Sequence, residues 1–270
     1  MFRSLSTNLT GIMAYQNSLN NIANNISNIN TTGYRGSTVS FSDLIYRELR
    51  DRRMHVSPIE GELEPQNGKG VRVSSSTTSF IQGSLSMTDR DLDLAIDGDG
   101  FFRLVRPDGS FAYTRSGSFI MNPMGDILNS QGDYLDVPFD MSDLMETGED
   151  AELPPGKLVV NPEGVAFWDD GGDDPVLLGQ IQLYKFINTA GLLSDNGLRF
   201  VETETSGAAV EGFSGDEGFG VVRQKFIELS NLNLGEEMVN MLVTQRSLQS
   251  NIRALMTSDE LWAYTLQAKS

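Results

Sequence analysis

The single histidine, His55, is the first side chain to consider for acid–base chemistry, because an unperturbed imidazole titrates near neutrality. It stands in a charged, turn-rich stretch, and no serine and carboxylate are arranged with it as a nucleophile and its base would require. A surface position is expected. Asp91, Asp93, Asp97 and Asp99 come nearer to a metal loop. A calcium loop asks for oxygen ligands at its first, third and fifth positions, then a glycine and a glutamate at the twelfth. Counted from Asp91 the fifth position is Ala95, and counted from Asp97 it is Phe101. The cluster therefore reads as a turn, Asp97-Gly98-Asp99-Gly100, ahead of a strand. Gly98-x-Gly100 runs into Phe101-Phe102 rather than into a helix, so a dinucleotide fingerprint fails on context. Gly68-Lys69-Gly70 lacks the other residues of a phosphate-binding loop. No catalytic, cofactor-binding or metal-ligating residue is assigned, no cofactor is expected, and the chain reads as a non-enzyme.

Composition narrows the partners. The formal charge of -17, from 20 Lys and Arg against 37 Asp and Glu, repels nucleic acid and anionic membranes. The acid is concentrated centrally, in Glu146 to Glu152 and in Asp169 to Asp174, both read as polar loops or turns. There is no cysteine, and hence no disulfide framework or thiolate metal site. No apolar run reaches the length of a membrane span. The first residues lack the unbroken apolar core of a Sec signal peptide, so another route of export is expected.

The elements that remain are helices at the two ends and short strands between them. Leu5, Ile12, Leu19 and Ile26, with Tyr15, Ile22 and Ile29 on the alternate spacing, form an a/d seam. Asn17, Asn20, Asn21, Asn24, Asn25 and Asn28 lie between them and leave that helix marginal alone. Gly33 supplies a plausible stop. At the other end Leu234, Met238, Met241, Gln245, Leu248, Ile252, Leu255, Asp259, Trp262 and Leu266 repeat the same alternation, with Asn233 as the N-cap and Glu236 and Glu237 in the first turn. Between the ends, Leu92 to Ile96, Phe101 to Val105, Phe111 to Thr114 and Ile181 to Phe186 alternate and are punctuated by Asp-Gly and Pro-Asp-Gly turns. The expected fold is α+β. Helical segments 1–34 and 231–270 form a coiled-coil layer, 35–73 and 211–230 act as connectors, and 74–210 is a mainly antiparallel β domain. Ser74 to Ser79 fits either a strand or a linker.

Three blocks carry a resemblance. Ile22-Ala-Asn-Asn-Ile-Ser-Asn-Ile-Asn-Thr-Thr-Gly-Tyr-Arg35 resembles the N-terminal signature of flagellar rod and hook subunits. Leu94-Ala-Ile-Asp-Gly-Asp-Gly-Phe-Phe102 with Ala112-Tyr-Thr-Arg-Ser-Gly-Ser-Phe119, and Leu232 through Ser247, are similar to further blocks of that family in the same order. Length, a single β domain and Phe41-Ser-Asp-Leu-Ile-Tyr46 resemble the distal-rod members, with proximal-rod and hook-type axial proteins as competitors. Leu49 to Gly61 matches no distal-rod pattern. The resemblance implies a structural subunit of the bacterial flagellar basal body, exported by the flagellar type III apparatus into the cell envelope. It implies self-assembly into a helical tube that transmits torque to the hook, with other rod and hook subunits and surrounding ring (bushing) proteins as partners. The terminal seams then become the assembly interface, ordering on assembly. A carbohydrate-binding or hydrolysing β domain is the reading from a different class, and no carboxylate pair supports it.

Overall fold

The computed structural model describes residues 2–43, 47–48, 66–67, 70–138, 156–169, 171 and 175–267. His55, the acidic stretch 139–155 and Leu49 to Gly61 lie outside the described residues, as do the side chains of Leu5 and Leu266. The chain divides into two compact units, each built from separated segments: residues 1–26, 37–77 and 233–270, and residues 27–36 and 78–232.

The first unit is mainly helical. It holds α1 (Phe2–Ser27), β1 (Ser37–Asp43), β2 (Arg47–Glu48), β3 (Gln66–Asn67), β4 (Val71–Thr78) and α2 (Leu234–Gln267). β1 pairs with β4, and β2 pairs antiparallel with β3. Part of the stretch expected to connect is therefore a β ribbon, and Ser74 to Thr78 belongs to a strand. α1 stops at Ser27, so Ile29 lies in the following turn. α2 begins as its sequence asks: the Asn233 side-chain oxygen accepts from the Gly235 N–H at 2.9 Å, and Glu236 and Glu237 occupy the first turn.

Among the described residues the second unit is β apart from a short 3-10 turn at Thr189–Gly191. It runs β5 (Leu85–Met87), β6 (Leu94–Asp97), β7 (Phe102–Val105), β8 (Phe111–Thr114), β9 (Phe119–Met121), β10 (Ile127–Asn129), β11 (Tyr134–Leu135), β12 (Lys157–Val160), β13 (Val165–Asp169), β14 (Val176–Gln180), β15 (Gln182–Lys185), β16 (Leu193–Asp195), β17 (Arg199–Val201), β18 (Val210–Phe213), β19 (Val221–Gln224) and β20 (Phe226–Glu228). Seven of these form one sheet in the order β16, β17, β8, β7, β11, β10, β9, and every assigned strand pair is antiparallel. Residues 211–230, expected as a connector, instead contribute strands: β18 pairs with β15, β19 with β6 and β20 with β5.

Strand alternation separates two cores. Phe102, Leu104, Phe119, Leu158, Trp168, Ile181 and Val222 belong to one, while the neighbouring Phe101 joins Tyr113, Tyr184, Phe186, Leu192 and Phe200 in the other. The second core packs edge to face, with Tyr113 and Phe186 centroids 4.8 Å apart. Four hairpins turn by one device, in which the N–H of the fourth residue bonds the carbonyl of the first: Arg106–Gly109, Asn122–Gly125, Asn129–Gly132 and Asn161–Gly164. Each closing glycine has φ between 78° and 88°, which a side chain rarely adopts.

Candidate assembly interface

The aspartates that suggested a metal loop are each held by a different base. Asp91 pairs with Lys225 at 3.0 Å, Asp97 with Arg223 at 2.7 Å, Asp99 with Lys185 at 3.2 Å, and Asp93 lies 3.7 Å from Arg90 while accepting from Thr88. Their carboxylates are spread over strand pairings instead of converging on a common point. Among the described residues no group of three or more His, Cys, Asp or Glu is placed to hold a metal ion. Asp97-Gly98-Asp99-Gly100 is a bend between β6 and the entry to β7, with both glycines at positive φ.

Within the helical unit, α1 and α2 run antiparallel. Asn25 reaches Glu237 at 3.3 Å, and Gly11 lies so close to Asn251 that an added methyl would sit 3.0 Å from its amide nitrogen. Stepping back along α1 from Asn25 to Gly11 and forward along α2 from Glu237 to Asn251 covers equal lengths, so the register is regular. On α2 the half-buried positions are Glu237, Met241, Thr244, Ser247, Leu248, Asn251, Leu255, Ser258 and Trp262. Met241, Leu248, Leu255 and Trp262 are shared with the seam expected from sequence. The alternate positions are one residue earlier than expected, and they are polar. Leu234, Met238 and Ile252 are left exposed, along with Val239, Leu242, Val243, Met256, Leu261 and Tyr264. On α1, Ile22 is buried and Ile12, Tyr15, Leu19 and Ile26 are half-buried.

The asparagines of α1, which sequence propensity marks only as weak helix formers, hold the ribbon. Asn25, 2% exposed, donates to the carbonyl of Ser37 at 2.9 Å and accepts from its N–H at 3.2 Å, so its amide copies a strand neighbour. Asn21 donates to the Ser37 hydroxyl, Thr10 accepts from the Val71 N–H, and Tyr15 meets Phe41 at 6.3 Å. Burial pushes the Glu237 carboxyl above its ordinary value, partly offset by the Asn25 bond.

The signature segment 27–36 forms a strap on the β unit. Gly33, at φ +69°, donates to the Glu228 carbonyl at 2.7 Å and passes so close to Ser116 that a Cβ would lie 2.4 Å from its backbone nitrogen. Tyr34 is buried beside Gly197. Arg35 and Glu228 form an ion pair at 2.7 Å with both side chains 0% exposed, and the same carboxylate oxygen accepts from the Gly83 N–H. Arg115 approaches the other oxygen at 3.6 Å, and burial holds its guanidinium down to about 10. Arg115 also stacks on Phe101, and its Nη2 donates to the Gly98 carbonyl. One carboxylate thus serves two buried cations, an arrangement that sequence separation hides: Arg35 and Glu228 lie at opposite ends of the chain.

Residues 95–166 match the family model of the flagellar hook protein FlgE/F/G D1 domain, and residues 223–268 match that of the flagellar basal body rod FlgEFG protein C-terminal region. Over 265 residues the chain is 37% identical to the flagellar basal-body rod protein FlgG of Borreliella burgdorferi, covering 97% of this chain and 96% of that protein. It is 37% identical over 266 residues to the FlgG of Buchnera aphidicola subsp. Acyrthosiphon pisum, with 97% of each covered. The chain belongs to the FlgG family of flagellar basal-body rod proteins. The flagellar hook protein FlgE of Helicobacter mustelae is 41% identical, but over 49% of this chain and 30% of that protein, so the full-length likeness favours the rod over the hook. The FlgE/F/G D1 match starts within β6 and reaches into β13, covering Phe102, Leu104, Phe119 and Leu158 of one β core and Phe101 and Tyr113 of the other. The FlgEFG C-terminal match contains Glu228, Asn231 and nearly all of α2, so the strap's counter-charge and the helix with the exposed apolar face lie in one matched segment.

Proposed function

We propose that this FlgG-family chain is a structural subunit of the distal flagellar rod, whose copies assemble into a helical tube that carries torque from motor to hook. The observation that supports it most is the second apolar face of α2, left exposed beside an inner face that Met241, Leu248, Leu255 and Trp262 share with polar residues. The polar positions Glu237, Thr244, Asn251 and Ser258 face inward, while Met238, Val239, Leu242, Val243, Ile252 and Met256 stay exposed. An isolated helix face of that kind marks an interface awaiting a partner. Further copies of the chain are the partners that fit, packing helix against helix as a coiled-coil layer.

In this reading Leu5, Ile12, Tyr15, Leu19, Ile22, Ile26 and Ile29 supply the N-terminal seam. Leu234, Met238, Met241, Leu248, Ile252, Leu255, Trp262 and Leu266 supply the C-terminal one, Met238 and Ile252 toward neighbours and Met241, Leu248 and Leu255 toward α1. Other rod and hook subunits, and ring proteins around the rod, are the heterologous partners. Delivery is through the flagellar type III apparatus. No helix among the described residues is long and apolar enough to cross a membrane. The work is mechanical and no residue is given a catalytic step.

Electron microscopy of the full-length protein at rising concentration, beside Leu242→Glu and Ile252→Glu variants, tests the proposal. Tubes or fibres from the unaltered chain and none from the variants support it. Incorporation of both variants into basal bodies at the normal level would remove α2's outer face from the assembly.

A further inference from the structure

The polypeptide passes between the two units after residues 26, 36, 77 and 232. Three of these passages leave the β unit beside residues that bond one another in a closed ring. The Gly36 N–H donates to the Asn231 side-chain oxygen at 3.0 Å. The Asn231 amide nitrogen donates to the Ser79 carbonyl at 2.9 Å and to the Ile81 carbonyl at 3.1 Å. The Ser79 N–H donates to the Gly36 carbonyl at 2.8 Å. Gly36 also packs on Leu232, where a Cβ would meet its Cδ2 at 2.4 Å unless that side chain moved. Behind the ring, Arg35 donates to the Ile81 carbonyl at 2.8 Å and to Glu228, fastening the same strands one layer deeper.

We infer that Asn231 is the positioning residue of a clasp holding three exits of the chain from the β unit in one arrangement, so that force arriving along one exit is shared by all three. The inference rests on the rod reading for its purpose and on the hydrogen-bond ring for its existence. An asparagine suits the task because a single planar amide both accepts and donates, so it can take the Gly36 N–H and reach the Ser79 and Ile81 carbonyls at once. Aspartate cannot donate to Ser79 and Ile81, and leucine of similar size satisfies neither. The three exits come from residues far apart in sequence, so no local turn could tie them. A contiguous bonded network of this kind is one physical route by which load or displacement can pass, and the coupling is what the test measures.

The test uses the full-length chain with Asn231→Ala and, as control, Asn188→Ala, which removes one side-chain bond to the Thr205 carbonyl away from the exits. Amide hydrogen exchange is followed at Gly36 and Ser79 and across β7 and β8. The expected result for Asn231→Ala is exchange faster by about tenfold at Gly36, the factor matching one net hydrogen bond, with Ser79 following. β7 and β8 should be unchanged, and the control should move none of these sites. In cells whose only copy carries Asn231→Ala, rods should assemble in normal number, yet rotation should fail or rods break as viscosity is raised. Unchanged exchange at Gly36, loss of protection reaching β7 and β8, or wild-type rotation at high load would each overturn the clasp. If the unaltered chain does not enter basal bodies, the rod reading falls, while the exchange result still decides whether Asn231 ties the exits.

Discussion

The helical unit and the β unit solve opposite problems. The β unit sends its large side chains inward, into an aliphatic and an aromatic core, and seals Arg35 and Glu228 away from water. The helical unit mixes the two along α2, turning Glu237, Thr244, Asn251 and Ser258 inward with Met241, Leu248 and Leu255 and leaving Leu242, Val243 and Met256 outside. Burial of apolar area is the main driving force of folding. In the helical unit the exposed apolar area is gathered along α2, whereas the β unit also exposes Ile81, Met87, Leu177 and Ile187 but closes around two cores. The proposed function therefore places stability and assembly in different residues.

The comparison is broken most severely at Glu228. Replacing it with alanine leaves Arg35 and Arg115 buried without a carboxylate, and the β unit should lose about 3–5 kcal/mol in denaturant unfolding, the usual cost of stranding a buried charge. Gly33→Ala should come next. Its φ of +69° and the 2.4 Å approach to the Ser116 backbone leave the methyl no room, so a loss of about 1–3 kcal/mol is expected in the same measurement. A wild-type midpoint for either variant would mean the strap does not belong to the β unit's cooperative fold.

Asn25→Ala sharpens the contrast from the helical side. It leaves the Ser37 N–H and carbonyl without their side-chain partner, at a cost of about 1–3 kcal/mol confined to the helical unit. Exchange at β1 amides should rise while β7 and β8 stay protected, and a uniform change over both units would contradict the division. Smaller still is Leu242→Glu, an exposed position expected to change monomer stability by less than about 0.5 kcal/mol. Its effect should appear only in sedimentation or microscopy of assembled protein.

The weakest effect is a pH dependence. The Glu237 carboxyl titrates above its ordinary value when folded, because burial disfavours its charge. Between the unfolded and folded values the native chain binds more protons, so the helical unit gains stability as pH falls through that window and keeps the gain below it. Helicity followed from neutral to mildly acidic pH should show the gain in the wild type and lose it in Glu237→Gln.

The sequence was most legible where a period is local. The terminal helices, the Asn233 cap, the antiparallel strands and the Asp97 to Gly100 bend follow from spacing and turn chemistry. The phase of α2 does not, because apolar residues on both Met238 and Met241 lines give two faces with equal claim to a seam, and only packing against α1 decides between them. Residues 211–230 looked like a connector because their strands are three or four residues long and pair with β5, β6 and β15 far upstream. The strap was visible as a signature but not as part of the β unit. Its decisive contacts, Arg35 to Glu228 and Gly36 to Asn231, join residues that no local pattern connects. Asn25 was hidden by its type: propensity scores its helix, while its value lies in copying a backbone neighbour.

The polar lining between α1 and α2 also bears on reversibility. The Asn25–Glu237 bond and the approach of Asn251 to Gly11 exchange for water at small net cost, which loosens a seam that Met241, Leu248 and Leu255 would otherwise lock. The helices of a subunit that docked out of register would separate and dock again while the β unit stayed folded, so an error would be erased by a local melt and not by recycling the whole chain.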